Sequence, residues 1–142
     1  MGCGGWGCWR FLRALFDDGM PVPEKPGVYS IRYAPGGHPR PIPRVFRPDP
    51  KGILCYGRTY KEGLRRRLTD FCSAATWHSA GHVEGLRFHD LKYPLNRYPF
   101  GHLQVRWREC CSEDQTRNLE TDLLDRYAKK LGEFPPLNRK RG

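Results

Sequence analysis

Gly27-Val28-Tyr29-Ser30-Ile31-Arg32-Tyr33 is the stretch that decides how the chain is organised. Tyr29, Ile31 and Tyr33 alternate with Ser30 and Arg32, which is the two-residue period of a strand. Upstream, Pro21, Pro23 and Pro26 hold the chain extended as far as Gly27. Downstream, residues 35–50 contain six Pro and two Gly and read as a long loop between two strands. Ile53-Leu54-Cys55-Tyr56 is then a short apolar run of the buried-strand kind, closed by Gly57.

From residue 61 to 72 the period changes to that of a helix. Leu64, Leu68, Phe71 and Cys72 share one face. Residues 73–101 have a weaker pattern, with a short helix predicted near 83–91 and a loop holding Pro94 and Pro99. Leu103, Val105 and Trp107 alternate and predict a third strand over 102–108. The last helix has a distinct beginning: Ser112 with Gln115 forms a capping box, and Glu113 and Asp114 suit the positive end of the dipole. It is expected to run to Leu131 and stop at Gly132. Near the N-terminus, Trp9, Leu12 and Phe16 are about one turn apart and predict a short helix over 9–16. Residues 1–23 are accordingly expected to be a helical extension of one globular domain over 24–142.

A chain of 142 residues suits one domain. With 38% hydrophobic and 28% charged residues it is neither disordered nor membrane-spanning in composition. Lys and Arg number 25 against 15 acids, a net charge of +10. A surplus of this size suggests a polyanionic partner, since neutralised phosphates release counterions. A generally basic surface or attraction to anionic lipid is the plainer alternative. No signal peptide is evident, because Arg10 and Arg13 interrupt the only early apolar stretch, and Trp6 stands where acylation of Gly2 would want Ser or Thr. The expectation is a cytoplasmic protein, with no membrane partner and with its six Cys as packing residues rather than disulfides. The spacings of Cys72, His78 and His82 match no zinc signature, and the vicinal Cys110 and Cys111 chelate one tetrahedral ion poorly.

Two charged residues sit where apolar ones are expected. On a helical wheel at about 100° per residue, Glu120 lies at the centre of the stripe formed by Leu123, Leu124, Tyr127 and Leu131. A carboxylate facing inward costs several kcal/mol unless it is paired or coordinated. Either it meets a basic residue in the core, or it points into a cleft and holds a hard divalent cation through oxygen. In the preceding helix, Arg67 falls near the apolar stripe, whereas Arg65 and Arg66 point outward as solvated or phosphate-positioning charges.

Taken in order, Gly27-Val28-Tyr29, a long loop, Ile53 to Thr59 with Gly57, Arg67 on a helix, Glu120 on a later helix and Asn138 beyond it resemble the GIY-YIG nuclease family. The resemblance covers residues 24–140. It implies an α+β fold with a small three-stranded antiparallel sheet flanked by helices. It also implies a metal-dependent DNA endonuclease using one Mg²⁺ or Mn²⁺ per site. In that reading Tyr29 activates the attacking water, Arg67 contacts the scissile phosphate, and Glu120 binds the metal. Asn138, Gly27, Gly57 and Cys55 support the site. Arg58, Lys61, Arg65, Arg66 and the tail Arg139-Lys140-Arg141 contact the nucleic acid. The set is chemically coherent: hydrolysis needs a nucleophile, a base and neutralisation of charge growing on phosphoryl oxygens.

The chain departs from the family pattern at two places. The tyrosine of the second motif is replaced by Cys55. Tyr56 is next to it and is retained as a catalytic candidate, although strand neighbours point to opposite faces. Phe71 stands where some members carry a His one turn after the arginine. His78 and His82 are the available substitutes, and both read more simply as ordinary loop histidines. The alternatives to a nuclease are a catalytically degenerate DNA- or RNA-binding module on the same fold, and an interaction protein docking through Trp6, Trp9 and Phe11. The target DNA is undetermined, branched and damaged forms included, and both homodimeric cutting and single nicking remain open.

Overall fold

A computed structural model of the chain describes residues 5–77, 82–95 and 99–138, the side chains of residues 16 and 91–95 excepted. The strands are β1 (Arg10–Phe11), β2 (Gly27–Tyr33), β3 (Ile53–Thr59) and β4 (Leu103–Glu109); the helices are α1 (Arg13–Asp17), α2 (Leu64–Trp77), α3 (Val83–Leu95) and α4 (Glu113–Leu131). The fold is α+β, built on one antiparallel sheet in the order β1-β4-β2-β3. In β2, Tyr29 stands opposite Gly57 of β3 and Trp107 of β4, and Ile31 opposite Cys55 and Val105. Strand alternation therefore sends these residues to one face, and Ser30, Arg32, Tyr56 and Arg106 to the other.

The first face is covered by α2 and α3. Tyr29, Ile31, Cys55 and Val105 pack there with Leu64, Leu68, Phe71 and Phe88. On the second face, Tyr127 and Leu131 of α4 meet Ile53 and Tyr56 of β3, with Trp9 alongside. Sequence and structure agree closely at α4. Ser112 caps it by accepting the Gln115 N–H at 3.1 Å, and Gly132 ends it with φ of 90°.

Three expectations need correction. The sheet has four strands, because residues 9–16 do not form a single helix: Arg10 and Phe11 pair with Val105 and Gln104, and only Arg13–Asp17 is helical. The ladder continues through Gly7 N–H to Trp107 O and Leu12 N–H to Leu103 O, both at 3.0 Å. The unpaired edge of β4 thus outweighs the local helical pattern of these few residues. Leu12, Met20 and Val22 belong to the main core, so the extension is built into the same globule. The second correction is that α2 begins at Leu64, since Gly63 has φ of 85° outside the helical region, and runs on to Trp77. Third, Cys110 is disulfide-bonded, unlike the buried free thiols of Cys55 and Cys72. Among the described residues no helix is long and apolar enough to cross a membrane.

Candidate active site

Tyr29 is fully buried in the middle of β2, and Gly57 is what makes room for it. A methyl group at Gly57 would overlap Cζ and Oη of the Tyr29 ring and stand 2.7 Å from Cε2. The tyrosine therefore lies across the neighbouring strand toward the β3 side of the sheet. Gly27 has a similar steric reason: a Cβ there would strike the Arg108 carbonyl and come within 2.9 Å of Leu64 Cδ1, where α2 sits on the sheet. Both motif glycines are explained by close approach.

At the end of its ring, Tyr29 Oη lies 2.7 Å from His82 Nε2. His82 is buried just ahead of α3, its ring edge-on to Phe71 with centroids 5.1 Å apart. The other ring nitrogen, Nδ1, accepts the Gly85 N–H at 3.2 Å. Burial, and then the charge of Arg67, lower the His82 pKa to about 3, so the ring is neutral at physiological pH. A neutral imidazole has one N–H. With Nδ1 accepting, the proton is assigned to Nε2, which donates to Tyr29. Glu84 Oε1 lies 3.8 Å from Nδ1, too far for a hydrogen bond, and the neutral ring makes no ion pair with it.

Glu120 is 5% exposed. Its Oε1 accepts Arg58 Nε at 3.1 Å, and the Arg58 side chain is 26% exposed. Burial raises the Glu120 pKa to about 7 against the opposing pull of Arg58. The inward direction read from the helical wheel is the observed one, and of the two partners considered the structure supplies the basic residue. Arg58, expected as a nucleic-acid contact, is part-buried in this ion pair.

Arg67 connects these groups. Its charge acts on Tyr29, His82, Glu84 and Glu120, and the field of Glu120 reaches both Tyr29 and Cys55. Tyr29, His82, Glu84 and Glu120 thus form a set within the field of Arg67, with Tyr29 on the first sheet face and Arg58, the partner of Glu120, on the second. Glu84 is a member that the sequence did not reveal; it is raised mainly by burial. Burial and then Glu84 hold the Tyr29 hydroxyl well above its ordinary pKa, so it is protonated at neutral pH. The Cys55 thiol is raised for the same two reasons.

Tyr56 stands apart. It lies on the second face, edge-on to Tyr127 with centroids 6.4 Å apart, and its pKa is pushed up to about 12, chiefly by burial. Strand alternation places it, with Arg58, on the face of β3 away from Tyr29. Asn138 grips the backbone of Tyr56, accepting its N–H and donating to its carbonyl, each at 3.0 Å. It braces β3, the strand that carries Arg58 and Gly57. Lys61, Arg65 and Arg66 are exposed near the start of α2, with Arg66 Nε 3.3 Å from Asp70. Residues 139–141 and His78 lie outside the described residues.

No family model matches this chain, and no curated protein or solved structure matches it.

A hard divalent cation takes oxygen donors. Glu120 uses Oε1 for Arg58, while its Oε2 takes no hydrogen bond among the described residues. No cluster of three or more His, Cys, Asp or Glu side chains able to hold a metal occurs among them. Mg²⁺ and Mn²⁺ are commonly held by one or two carboxylates, waters and substrate phosphates, and the Oε2 of Glu120 is a single carboxylate oxygen of that kind. A cation there would also oppose the burial that keeps Glu120 partly protonated.

Sequence reasoning named His82 and set it aside. Its spacing from Tyr29 carries no signal, because the contact is made across 53 residues. Glu84 begins a helix with almost no apolar periodicity, so nothing marked it as buried.

Proposed function

We propose that the chain is a metal-dependent DNA endonuclease that hydrolyses phosphodiester bonds on a GIY-YIG-like fold. The observation that carries this reading is the Tyr29 hydroxyl held 2.7 Å from a neutral, buried His82 within the fields of Arg67 and Glu120. Clustered ionisable groups with perturbed pKa values mark functional sites more often than ordinary core.

The proposed roles follow from the chemistry of each group. Arg67 presents a planar fork to a phosphate and stabilises charge growing on its oxygens. To act as the base, Tyr29 must first lose its own proton to solvent, which the charge of Arg67 favours; the tyrosinate would then orient the attacking water and take up its proton, returning to the neutral phenol. His82 donates Nε2–H to that oxygen, which favours its anionic form against the effect of burial. Glu120 would hold the divalent cation through Oε2. That cation, when bound, supplies Lewis acidity at the phosphate. The test is nicking of supercoiled plasmid by the purified full chain with Mg²⁺ or Mn²⁺. The wild type is expected to nick, and Tyr29→Phe to lose at least about a hundredfold, in line with removal of general-base catalysis. A wild type that leaves plasmid, branched and single-stranded DNA intact removes the proposal.

A second reading is favoured by two specific observations: Glu120 is ion-paired to Arg58, and Tyr29 has no exposed surface. On that reading the same fold is a catalytically degenerate nucleic-acid-binding module. It predicts salt-sensitive binding that is unchanged in Glu120→Gln and needs no divalent cation.

A further inference from the structure

The sheet face away from Tyr29 holds two guanidinium groups that the chemistry above does not use. In the β2–β4 register Ser30 is opposite Arg106 and Arg32 opposite Gln104, so Arg32 and Arg106 are diagonal neighbours. Trp9 lies over both, with its ring centroid 4.2 Å from Arg32 Cζ and 4.7 Å from Arg106 Cζ. Trp6 takes the other contact with Arg106, at 4.6 Å. The tryptophans are half-buried against arginine, not exposed for docking.

Neither guanidinium has a carboxylate partner among the described residues. Arg32 donates Nε and one Nη to Gln104 Oε1, at 3.0 and 2.8 Å, and that acceptor is neutral. Arg106 Nε is buried and makes no hydrogen bond. Each charge is half-buried, and the two repel. Like charges held together without a counter-charge are costly in a partly desolvated setting. The Nη groups that remain, one on Arg32 beyond its bonds to Gln104 and those of Arg106, are held by the tryptophan rings in fixed planes that match phosphate oxygens. The same face continues into a cavity of about 270 Å³ between β3 and α4, where Tyr56 and Tyr127 are rimmed by Lys51, Arg126 and Lys130. Asp49 also lines that cavity and accepts the Tyr127 hydroxyl at 2.9 Å, but the arginine and aromatic side chains along the face, with Lys51 and Lys130 at the rim, favour a polynucleotide over an isolated anion.

We propose that Arg32 and Arg106, stacked on Trp6 and Trp9, form a phosphate-binding site that holds a single nucleic-acid strand on the sheet face opposite Tyr29. This is a binding surface and does not depend on cleavage, so its test uses binding alone.

The experiment is a fluorescence-anisotropy titration of a labelled oligodeoxythymidylate with the full chain, without divalent cations, over a range of salt. Arg32→Gln/Arg106→Gln is expected to weaken binding by about tenfold or more, as expected for lost charge-assisted contacts. It should also flatten the log–log salt dependence by about 1.4 for two lost phosphate contacts on a single strand. Arg117→Gln removes a charge of the same type from the exposed face of α4 and is expected to change affinity less than twofold. Equal binding by wild type and double variant would overturn the proposal. So would competition by inorganic phosphate at low millimolar concentration and constant ionic strength, since the site would then serve the free ion. If the double variant does not fold, hydrogen exchange on the wild type decides: oligonucleotide should protect the segments around residues 30–32 and 104–108, and no protection there overturns the assignment.

Discussion

His82 Nε2 stands 2.7 Å from Tyr29 Oη while Gly85 N–H occupies Nδ1, so the imidazole is held neutral, with its proton aimed at the phenol. This has a consequence for stability. The pKa of His82 falls from 6.5 to about 3, mainly through burial. The unfolded chain therefore takes up a proton as pH drops below 6.5, whereas the folded chain waits until about 3, so stability is full above that window and is lost on descending through it. Glu120 acts in the opposite sense. Its pKa rises from 4.5 to about 7, again mainly through burial, so its contribution is present below 4.5 and lost as pH rises through 7. Between 4.5 and 6.5 the two slopes oppose, each worth at most ~1.4 kcal/mol per pH unit. Urea unfolding across this range should give a shallow curve for the wild type. His82→Gln should leave a stability that falls with rising pH, and Glu120→Gln one that rises. Three curves of the same shape would contradict the burial of these groups.

Arg67 is tested through its neighbours. Removing its charge in Arg67→Met is expected to move the Glu120 carboxyl further above 7, because Arg67 lowers it in the intact protein. Carboxyl-carbon NMR of Glu120 across a pH series reads this directly. A Glu120 titration that does not move would take Glu120 out of the field of Arg67.

At Gly57 the expectation is steric. Gly57→Ala puts a methyl group into the ring of Tyr29 and should cost about 1–3 kcal/mol, the usual range for overpacking. Combining it with Tyr29→Ala should recover part of that loss, whereas combining it with Tyr29→Phe, which keeps the ring, should not. Additive losses in both double variants, measured by chemical denaturation, would show that the two residues do not meet.

Asn138→Ala removes both bonds to the Tyr56 backbone and is expected to destabilise the chain by about 1–3 kcal/mol through unsatisfied polar groups. Amide exchange at Tyr56 should accelerate with it. Unchanged exchange would mean that β3 needs no brace from the C-terminal segment.

Much of this architecture was legible because it depends on local pattern. The alternation around Tyr29 and Ile31 gave β2, the capping box at Ser112 gave the start of α4, and the wheel position of Glu120 gave its inward direction. β1 was not legible, since a two-residue strand is made by the open edge of β4 and not by its own residues. The partners of the candidate site were also hidden. Arg58 is bonded to a residue 62 positions away and His82 to one 53 away, and no period in the chain encodes such distances. Tyr56 and Cys55 show the converse: their order along β3 already implied opposite faces, and the structure keeps them there.

The central claim is that Glu120 is an inward-facing acid that serves a divalent cation and is not solely the ion-pair partner of Arg58. The most direct measurement is nicking of supercoiled plasmid by the full chain as Mn²⁺ is titrated, for wild type and Glu120→Ala, with circular dichroism showing that both are folded. The account predicts metal-dependent nicking by the wild type and none by a folded Glu120→Ala. Nicking that persists in the variant, or a wild type that binds DNA and leaves it intact at every Mn²⁺ concentration, would contradict it.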